Sequence, residues 1–190
     1  MQTPAKIRNM KKVRAILLSY AAGIMDGEGS ITLHHNNPRG LGRSSETWYP
    51  RLIVKMNDGK PLDLLRTLFG GTTDIVHDLR DGIFPSFTWE ISSGRAASAA
   101  KQMLPFLRTK KRQAELIIRY QSRVDVGKRK IYRRGNPMSV HEVEARRNLA
   151  LELKRLNADN IHIPKSGLTT EQEERAKALM RQSKLIGKEQ

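Results

Sequence analysis

The sequence predicts an α+β fold in which helices cover one face of a four-stranded antiparallel sheet. Apolar residues first recur at helical spacing, and two segments then follow in which apolar and polar residues alternate. The same order of one helix and two strands occurs a second time before a helical remainder. A length of 190 residues allows one domain with its own core plus an appended segment. The expected architecture is therefore an αββαββα core followed by C-terminal helices.

The first helix is expected over residues 15–26, after a basic arm at residues 1–14. Ile16 and Tyr20 recur at helical spacing, while Ala22 and Gly23 present almost no side chain. Another backbone can approach closely at such a surface, so this helix is a candidate contact with a second helix.

Two carboxylates stand where this helix ends. Gly27 and Gly29 are expected to stop the helix, which places Asp26 and Glu28 at its C-terminus. The helix dipole disfavours a carboxylate there unless a cation compensates it. Carboxylate and carbonyl oxygens are the ligands that a hard divalent cation takes, although both acids also fit an ordinary turn. The residues alone leave both interpretations open.

Two alternating strands are expected next, at residues 30–36 and 48–56. A second helix follows over residues 58–69, with Asp58 as its N-cap and Gly70-Gly71 at its end. The second pair of strands is expected around residues 72–80 and 83–91, on either side of an Asp-Gly turn.

The polar face of this sheet is the expected surface for reading bases, although an ordinary solvent-facing sheet has the same pattern. The candidate DNA-binding residues on the strands are Thr32, His34, Asn36, Tyr49, Arg51, Lys55, His77, Arg80, Ser86 and Thr88. The loop between the first two strands adds Arg39 and Arg43.

Net charge agrees with a nucleic-acid partner. Thirty-five Lys and Arg against nineteen Asp and Glu give +16, with a pI near 10.5, and such a field attracts polyanions. The chain has no cysteine, which excludes a disulfide scaffold and a thiolate site and favours an intracellular, reducing compartment. No apolar run reaches bilayer-spanning length and no signal peptide is recognised, so no membrane partner is expected.

The remaining chain is predicted to be helical and basic. We expect a core domain over residues 15–126, a basic linker over residues 127–138 and a helical extension over residues 139–190. A capping box at Ser139 opens the first helix of the extension, and another at Thr170 opens the last. Further phosphate contacts are expected from Lys111, Arg112, Lys128, Arg129, Lys130, Arg133 and Arg134.

The segment Ala21-Ala22-Gly23-Ile24-Met25-Asp26-Gly27-Glu28-Gly29 resembles the signature motif of the LAGLIDADG homing endonucleases. The resemblance implies that the motif helix pairs with its twin across a two-fold axis. It also implies that the last acid, here Glu28, binds a catalytic Mg²⁺ or another hard divalent cation such as Mn²⁺. The carbonyl of Gly27 serves the same site, with Asp26 beside it. Glu28 replaces the usual Asp, and Ala21 replaces the usual Leu.

The segment Leu104-Pro105-Phe106-Leu107-Arg108-Thr109-Lys110 resembles the part of that family that brings a basic residue to the cleavage centre. By this alignment Lys110 is the candidate catalytic cation, and Lys60 is a second candidate. Some relatives position the attacking water with a glutamine at the end of the second strand. Here that position falls on Met56 or Asn57, and of these Asn57 is the one that can bind water.

The sequence holds one such motif and no internal repeat, and therefore one acid cluster. Cutting both DNA strands needs two acid clusters, so we expect a homodimer on a pseudo-palindromic duplex. The two chains are expected to join through helix 15–26, with Ala22 and Gly23 at the contact. The resemblance implies hydrolysis with 3′ overhangs inside a DNA-containing compartment. The alternatives are a non-cleaving DNA- or RNA-binding derivative, such as an intron maturase or regulator, and a basic ribosome-associated protein.

Overall fold

The computed structural model describes residues 4–36, 47–76, 85–130 and 138–159. The chain divides into two compact units, residues 1–154 and 155–190, and of the second only the end of the last helix is described. The elements in chain order are α1 (Pro4–Glu28), β1 (Gly29–Asn36), β2 (Thr47–Met56), α2 (Lys60–Phe69), β3 (Thr72–Val76), β4 (Ser86–Ser92), α3 (Ser93–Met103), α4 (Lys111–Lys130) and α5 (Val140–Asp159).

The four strands form one antiparallel sheet in the order β1-β2-β4-β3. Gly29 pairs with Val54 across β1 and β2, and Val54 pairs with Trp89 across β2 and β4. The predicted α+β class and the four-stranded antiparallel sheet are confirmed.

One face of this sheet forms the core with the helices. Leu52, Val54 and Trp89 have no exposed surface, and Ile31 and Ile91 are almost fully buried. Helices α1 to α4 all contact the strands, and α3 contributes the small side chains of its alanines to the core. Trp89 also satisfies its indole N–H, which donates to the Gly70 carbonyl at 2.9 Å.

Glycines make the turn between α2 and β3. Gly70 and Gly71 have φ of +76° and +96°, a region that L side chains rarely adopt. A Cβ on Gly71 would lie 2.4 Å from the Glu90 carbonyl oxygen, so the close approach to β4 also requires glycine. The predicted end of α2 is confirmed. Its start differs slightly, because Gly59 is the N-cap residue while Asp58 accepts the Lys60 N–H at 3.0 Å.

Two helices are longer than predicted. Helix α1 begins at Pro4, so most of the segment predicted as a basic arm is helical. Proline is favoured at the first position of a helix, and Lys and Arg are good helix formers, so nothing between Pro4 and residue 15 interrupts it. Helix α4 continues to Lys130, because the single Gly127 costs only about 1 kcal/mol, and the predicted linker therefore begins as helix.

Helix α5 contacts α4 through a partly buried cluster of three charged residues. Glu142 accepts from Arg123 Nη2 at 2.7 Å and from Arg146 Nε at 2.9 Å, and Arg146 is only 5% exposed. Leu149 and Leu153 are buried beside this cluster. The Ser139 hydroxyl accepts the Glu142 N–H at 3.3 Å, so half of the predicted capping box forms while the glutamate side chain binds the two arginines.

The helix predicted from Thr170 lies outside the described residues. Among the helices that are described, none is long and apolar enough to cross a membrane.

Candidate functional site

Asp26 joins the end of α1 to the segment that leads into α4. Its Oδ2 accepts the Arg108 N–H at 2.7 Å, and its Oδ1 accepts the Lys110 N–H and the Thr109 hydroxyl, both at 2.9 Å. Burial alone would raise the pKa of Asp26, but the hydrogen bonds from Arg108, Lys110 and Thr109 outweigh it and lower the pKa. The carboxylate is therefore ionised and committed to this turn.

This geometry corrects the sequence interpretation of Asp26. The aspartate was grouped with Glu28 as a metal ligand, but its two oxygens already accept three hydrogen bonds from residues 108–110. Its observed role is to position that turn. The hydrogen-bond partners of Asp26 lie more than eighty residues away in the chain, so no local sequence pattern indicates them.

Glu28 is the other carboxylate at this helix end, and its side chain is exposed. No hydrogen bond or ion pair from the described residues engages it. Gly29 follows immediately and must be glycine, because a Cβ there would lie 2.2 Å from the Met25 sulfur and 2.6 Å from the Met25 carbonyl oxygen. The chain can therefore leave α1 directly into β1, with Glu28 at the junction.

Lys110 lies under the same helix end. Its Nζ donates to the Asp26 backbone carbonyl at 2.5 Å, and the residue is partly buried. Burial lowers the pKa of Lys110, and the negative charges of Asp26 and Glu28 oppose that effect. The structure thus brings Lys110 and Glu28, the two main candidates from sequence, into one electrostatic environment.

Asn57 and Lys60 follow β2, both exposed. Because Gly29 pairs with Val54, the end of β2 lies at the same end of the sheet as Glu28. No contact among the described residues joins Asn57 or Lys60 to Glu28, and their catalytic roles stay predictions.

One chain supplies only part of an oxygen-donor set for a metal. Within the described part of the chain, no group of three or more His, Cys, Asp or Glu could hold an ion. The exposed Glu28 carboxylate and the Gly27 carbonyl suit a hard divalent cation chemically. These two groups are the oxygen donors at the end of α1 that fit such a cation.

Most of the predicted DNA-binding side chains share one sheet face. The outer sheet face, opposite the buried Leu52, Val54 and Trp89, carries Thr32, His34, Asn36, Tyr49, Arg51, Lys55, Ser86 and Thr88. The rings of His34 and Tyr49 are in contact, with centroids 5.1 Å apart. Lys111 and Arg112 are exposed in the first turn of α4.

Other predicted residues are not tested. Arg39, Arg43, His77, Arg80, Arg133 and Arg134 lie outside the described residues. Lys128, Arg129 and Lys130 form the end of α4, where the structure describes the helix but not their side chains.

The outer sheet face also carries Glu90, an acid that is not among the predicted DNA-binding residues. Glu90 accepts from Arg51 through two parallel bonds, Nε to Oε1 at 2.6 Å and Nη2 to Oε2 at 2.5 Å. The hydrogen bonds from Arg51 lower the pKa of Glu90. The alternation of residues along β4 predicts this position for Glu90, beside Thr88 on the polar face.

Helix α1 exposes an apolar stripe. Val13, Ile16 and Tyr20 are 52%, 60% and 54% exposed, and they share one side of the helix with Gly23. A Cβ on Gly23 would meet no atom within 4 Å, so this position is open. Ala22, by contrast, is fully buried within its own protomer, and the prediction that it lies at a contact between helices is wrong.

No protein-family model and no curated protein matches this sequence. Solved structures do match. One is the homing endonuclease I-CvuI in complex with the I-CreI target, in the presence of 2 mM Mg and with the DNA not cleaved. It is 17% identical to this chain, the match covers 84% of this chain and 90% of that chain, and the TM-score is 0.59. The archaeal intron-encoded homing endonuclease I-Vdi141I, complexed with DNA, is 14% identical, with coverages of 75% and 84% and a TM-score of 0.57. The homing endonuclease I-TnaI is 18% identical, with coverages of 75% and 96% and a TM-score of 0.51.

These structures define the class of the fold, an α+β architecture found in DNA-bound endonucleases. More specifically, the chain has the LAGLIDADG homing endonuclease fold. The resemblance of residues 21–29 to the motif of that family is thereby confirmed at the level of the fold.

Proposed function

We propose that this chain is a site-specific DNA endonuclease that acts as a homodimer on double-stranded DNA inside a DNA-containing compartment. The observation that carries the proposal is the exposed Glu28 carboxylate at the end of α1, close enough to the partly buried Lys110 to oppose the lowering of its pKa. The alternative of two ordinary turn acids explains Asp26 but leaves Glu28 without a structural role.

DNA recognition is assigned to the outer sheet face. Its hydroxyl, imidazole, amine and guanidinium groups include both hydrogen-bond donors and acceptors, which the edges of bases in the major groove complement. The chain's net charge of +16 supplies attraction for the phosphates. Lys111 and Arg112 are exposed where the N-terminus of α4 adds a favourable dipole for an anion.

The homodimer follows from the number of acids. Within the described residues, each chain offers one exposed acid at the end of the motif helix, whereas a double-strand cut needs one centre for each strand. The apolar stripe of Val13, Ile16 and Tyr20 lies on the same helix that ends at Glu28. Pairing two such stripes about a two-fold axis would bring both Glu28 side chains towards the axis and would make the target pseudo-palindromic.

The reaction proposed is hydrolysis of a phosphodiester. Glu28 and the Gly27 carbonyl, with the same groups from the second copy, would hold Mg²⁺ or Mn²⁺. A bound divalent cation polarises phosphate oxygens and makes a coordinated water more acidic. Lys110 holds a positive charge close to this carboxylate, where it can stabilise negative charge that develops on the phosphate. The water oxygen bonds to phosphorus and gives up one proton, while the bond from phosphorus to the 3′ oxygen breaks and that oxygen takes a proton. The family resemblance implies staggered cuts and 3′ overhangs.

The test is cleavage of a randomised duplex library with Mg²⁺, read by sequencing the new ends. Wild type should cut one long, roughly symmetric site. Glu28→Gln should bind that site and cut it at least about 100-fold more slowly, in line with the loss of a group acting at the reacting phosphate. Glu115→Gln, an exposed glutamate on α4, is the matched control and should cut normally. If wild type and Glu28→Gln enrich the same site and neither cuts it, the chain is a binding protein without nuclease activity.

A second pair of variants separates Lys110 from its basic neighbours. Lys110→Met should reduce the cleavage rate at saturating DNA, because it removes the charge beside Glu28. Lys111→Met should weaken DNA binding and leave the rate of the bound complex unchanged, because Lys111 is exposed and suited to a phosphate contact. Equal effects of both variants on the rate would contradict the role given to Lys110.

A further inference from the structure

The Arg51–Glu90 pair occupies the centre of the outer sheet face. Arg51 lies on β2 and Glu90 on β4, the two inner strands of the sheet. Both side chains are about one third exposed, at 28% and 33%. The pair is therefore located where a duplex bound to this face would contact the protein, and it places a carboxylate facing the polyanion.

The two hydrogen bonds fix one edge of the guanidinium and leave the other available. The Glu90 carboxylate accepts hydrogen bonds from Nε and Nη2, which form the side edge of the Arg51 guanidinium. A guanidinium has five N–H donors, so the end edge made by Nη1 and the second hydrogen of Nη2 keeps its donors. Among the described residues, only Glu90 is hydrogen-bonded to the Arg51 guanidinium. Because two parallel bonds hold the plane of the group, the direction of the free edge is also set.

That free edge matches one base. A pair of parallel N–H donors on arginine suits the O6 and N7 acceptors of guanine in the major groove, and no other base presents two acceptors there. We propose that Glu90 is a positioning residue that holds Arg51 to read a guanine, once in each half-site of the DNA target. The proposal rests on the DNA-binding part of the proposed function and does not depend on cleavage.

The presence of an acid on this face then has a reason. A free arginine on a DNA-binding surface can reach the backbone and bind a phosphate, which gives affinity without sequence preference. Glu90 occupies the side edge of Arg51 and repels phosphate, so both effects direct Arg51 towards a base. The simpler explanation is a cross-strand ion pair that contributes little to stability and nothing to recognition.

The test is selection of binding sites from a random duplex library without added divalent cation, so that binding is read apart from cutting. Wild type, Arg51→Lys and Glu90→Gln are compared. Asp63→Asn is the control, because it removes the acid from another arginine pair, with Arg66 at 3.4 Å, on a helix that packs against the sheet with its buried Leu62 and Leu65 and does not belong to the outer sheet face. Both sheet variants should lose about tenfold or more of the preference for guanine at one position in each half-site, while the other positions and the control profile stay unchanged.

Several results would overturn the proposal. One such result is a full guanine preference in Glu90→Gln, and another is an even weakening of binding over all sequences in Arg51→Lys. Unfolding midpoints are measured for each variant, and Arg51→Lys keeps the proposal falsifiable if Glu90→Gln does not fold. A wild-type site that is enriched but not cut in the parallel Mg²⁺ assay refutes the nuclease alone. The absence of any enriched site refutes both the proposed function and this inference.

Discussion

Two acids two residues apart in the sequence serve different purposes. Asp26 points back to the protein and accepts hydrogen bonds from residues 108–110, whereas Glu28 is exposed at the helix end. The sequence placed both correctly at the end of α1 but could not divide their roles, because the division depends on a turn that is distant in the chain. A motif thus located the site, and long-range hydrogen bonds distinguished the residues within it.

Asp26→Asn is expected to destabilise the fold by about 1–3 kcal/mol at pH 7, since an amide cannot accept all three hydrogen bonds. The folded-state pKa of Asp26 is lowered from 3.8, so its contribution is fully present above that value and is lost as pH falls through the folded pKa. Urea unfolding at pH 7 and near pH 3 should therefore show the difference between wild type and variant shrinking in acid. Asp74→Asn, an exposed aspartate on β3, should have little effect, and a difference that does not change with pH would contradict this account.

At the scale of elements, periodicity predicted nearly all that the structure shows. The alternation in β2 predicted that Leu52 and Val54 face inward and Arg51 and Lys55 outward, which the burial confirms. The glycine pair ended α2 as expected, because its positive φ angles suit no other residue. Helix ends without such a signal were less predictable. Helix α1 starts eleven residues earlier than expected, because a basic segment of good helix formers has no hydrophobic pattern to reveal it.

The apolar stripe of α1 gives a prediction about assembly. Ile16→Glu introduces a charge at a residue that is 60% exposed in one chain and would be buried between two. We expect this variant to sediment as a monomer under conditions in which wild type is a dimer. Lys11→Glu, on the opposite side of the same helix, should remain dimeric despite its larger change in charge. A wild-type protein that is monomeric at all concentrations, with and without DNA, would contradict the paired-helix proposal.

The contact between α4 and α5 gives a prediction about stability. Glu142→Ala should destabilise the protein by about 3–5 kcal/mol, because Arg146 is 5% exposed and would stay buried without its carboxylate. Glu144→Ala, at an exposed position of the same helix, should cost far less. Denaturant unfolding of both variants measures the difference. Equal losses would mean that the ion pairs of Glu142 contribute no more than an exposed charge does.

At the scale of the whole molecule, charge and fold have separate roles in the proposed DNA binding. The charge of +16 predicts affinity for any duplex, while the proposal assigns sequence selection to the polar groups of the outer sheet face. Composition predicted the first of these roles, and alternation along the strands predicted the polar face for the second. The structure adds that Glu90 of this face is bonded to Arg51.

The salt dependence of DNA binding tests whether phosphate contacts are separate from sequence selection by the outer sheet face. Lys111→Met should lower the slope of log K against log salt by about 0.9 for each lost phosphate contact, or roughly two for a homodimer. Lys101→Met, an exposed lysine on α3, should leave the slope unchanged. Binding is measured by titration at several salt concentrations on the selected site and on unrelated DNA. A change confined to the selected site would show that Lys111 reads sequence.

The alternation along β2 also constrains how the protein can evolve. Side chains that build the core and side chains assigned to DNA occupy successive positions, so a point substitution on the outward set leaves the core untouched. Inserting or deleting one residue within the strand would move each following side chain to the other face of the sheet, which would disrupt both the core and the outer sheet face. Lineages that descend from this chain should therefore acquire new targets through point substitutions in the strands, and their strand lengths should stay constant while their specificities diverge.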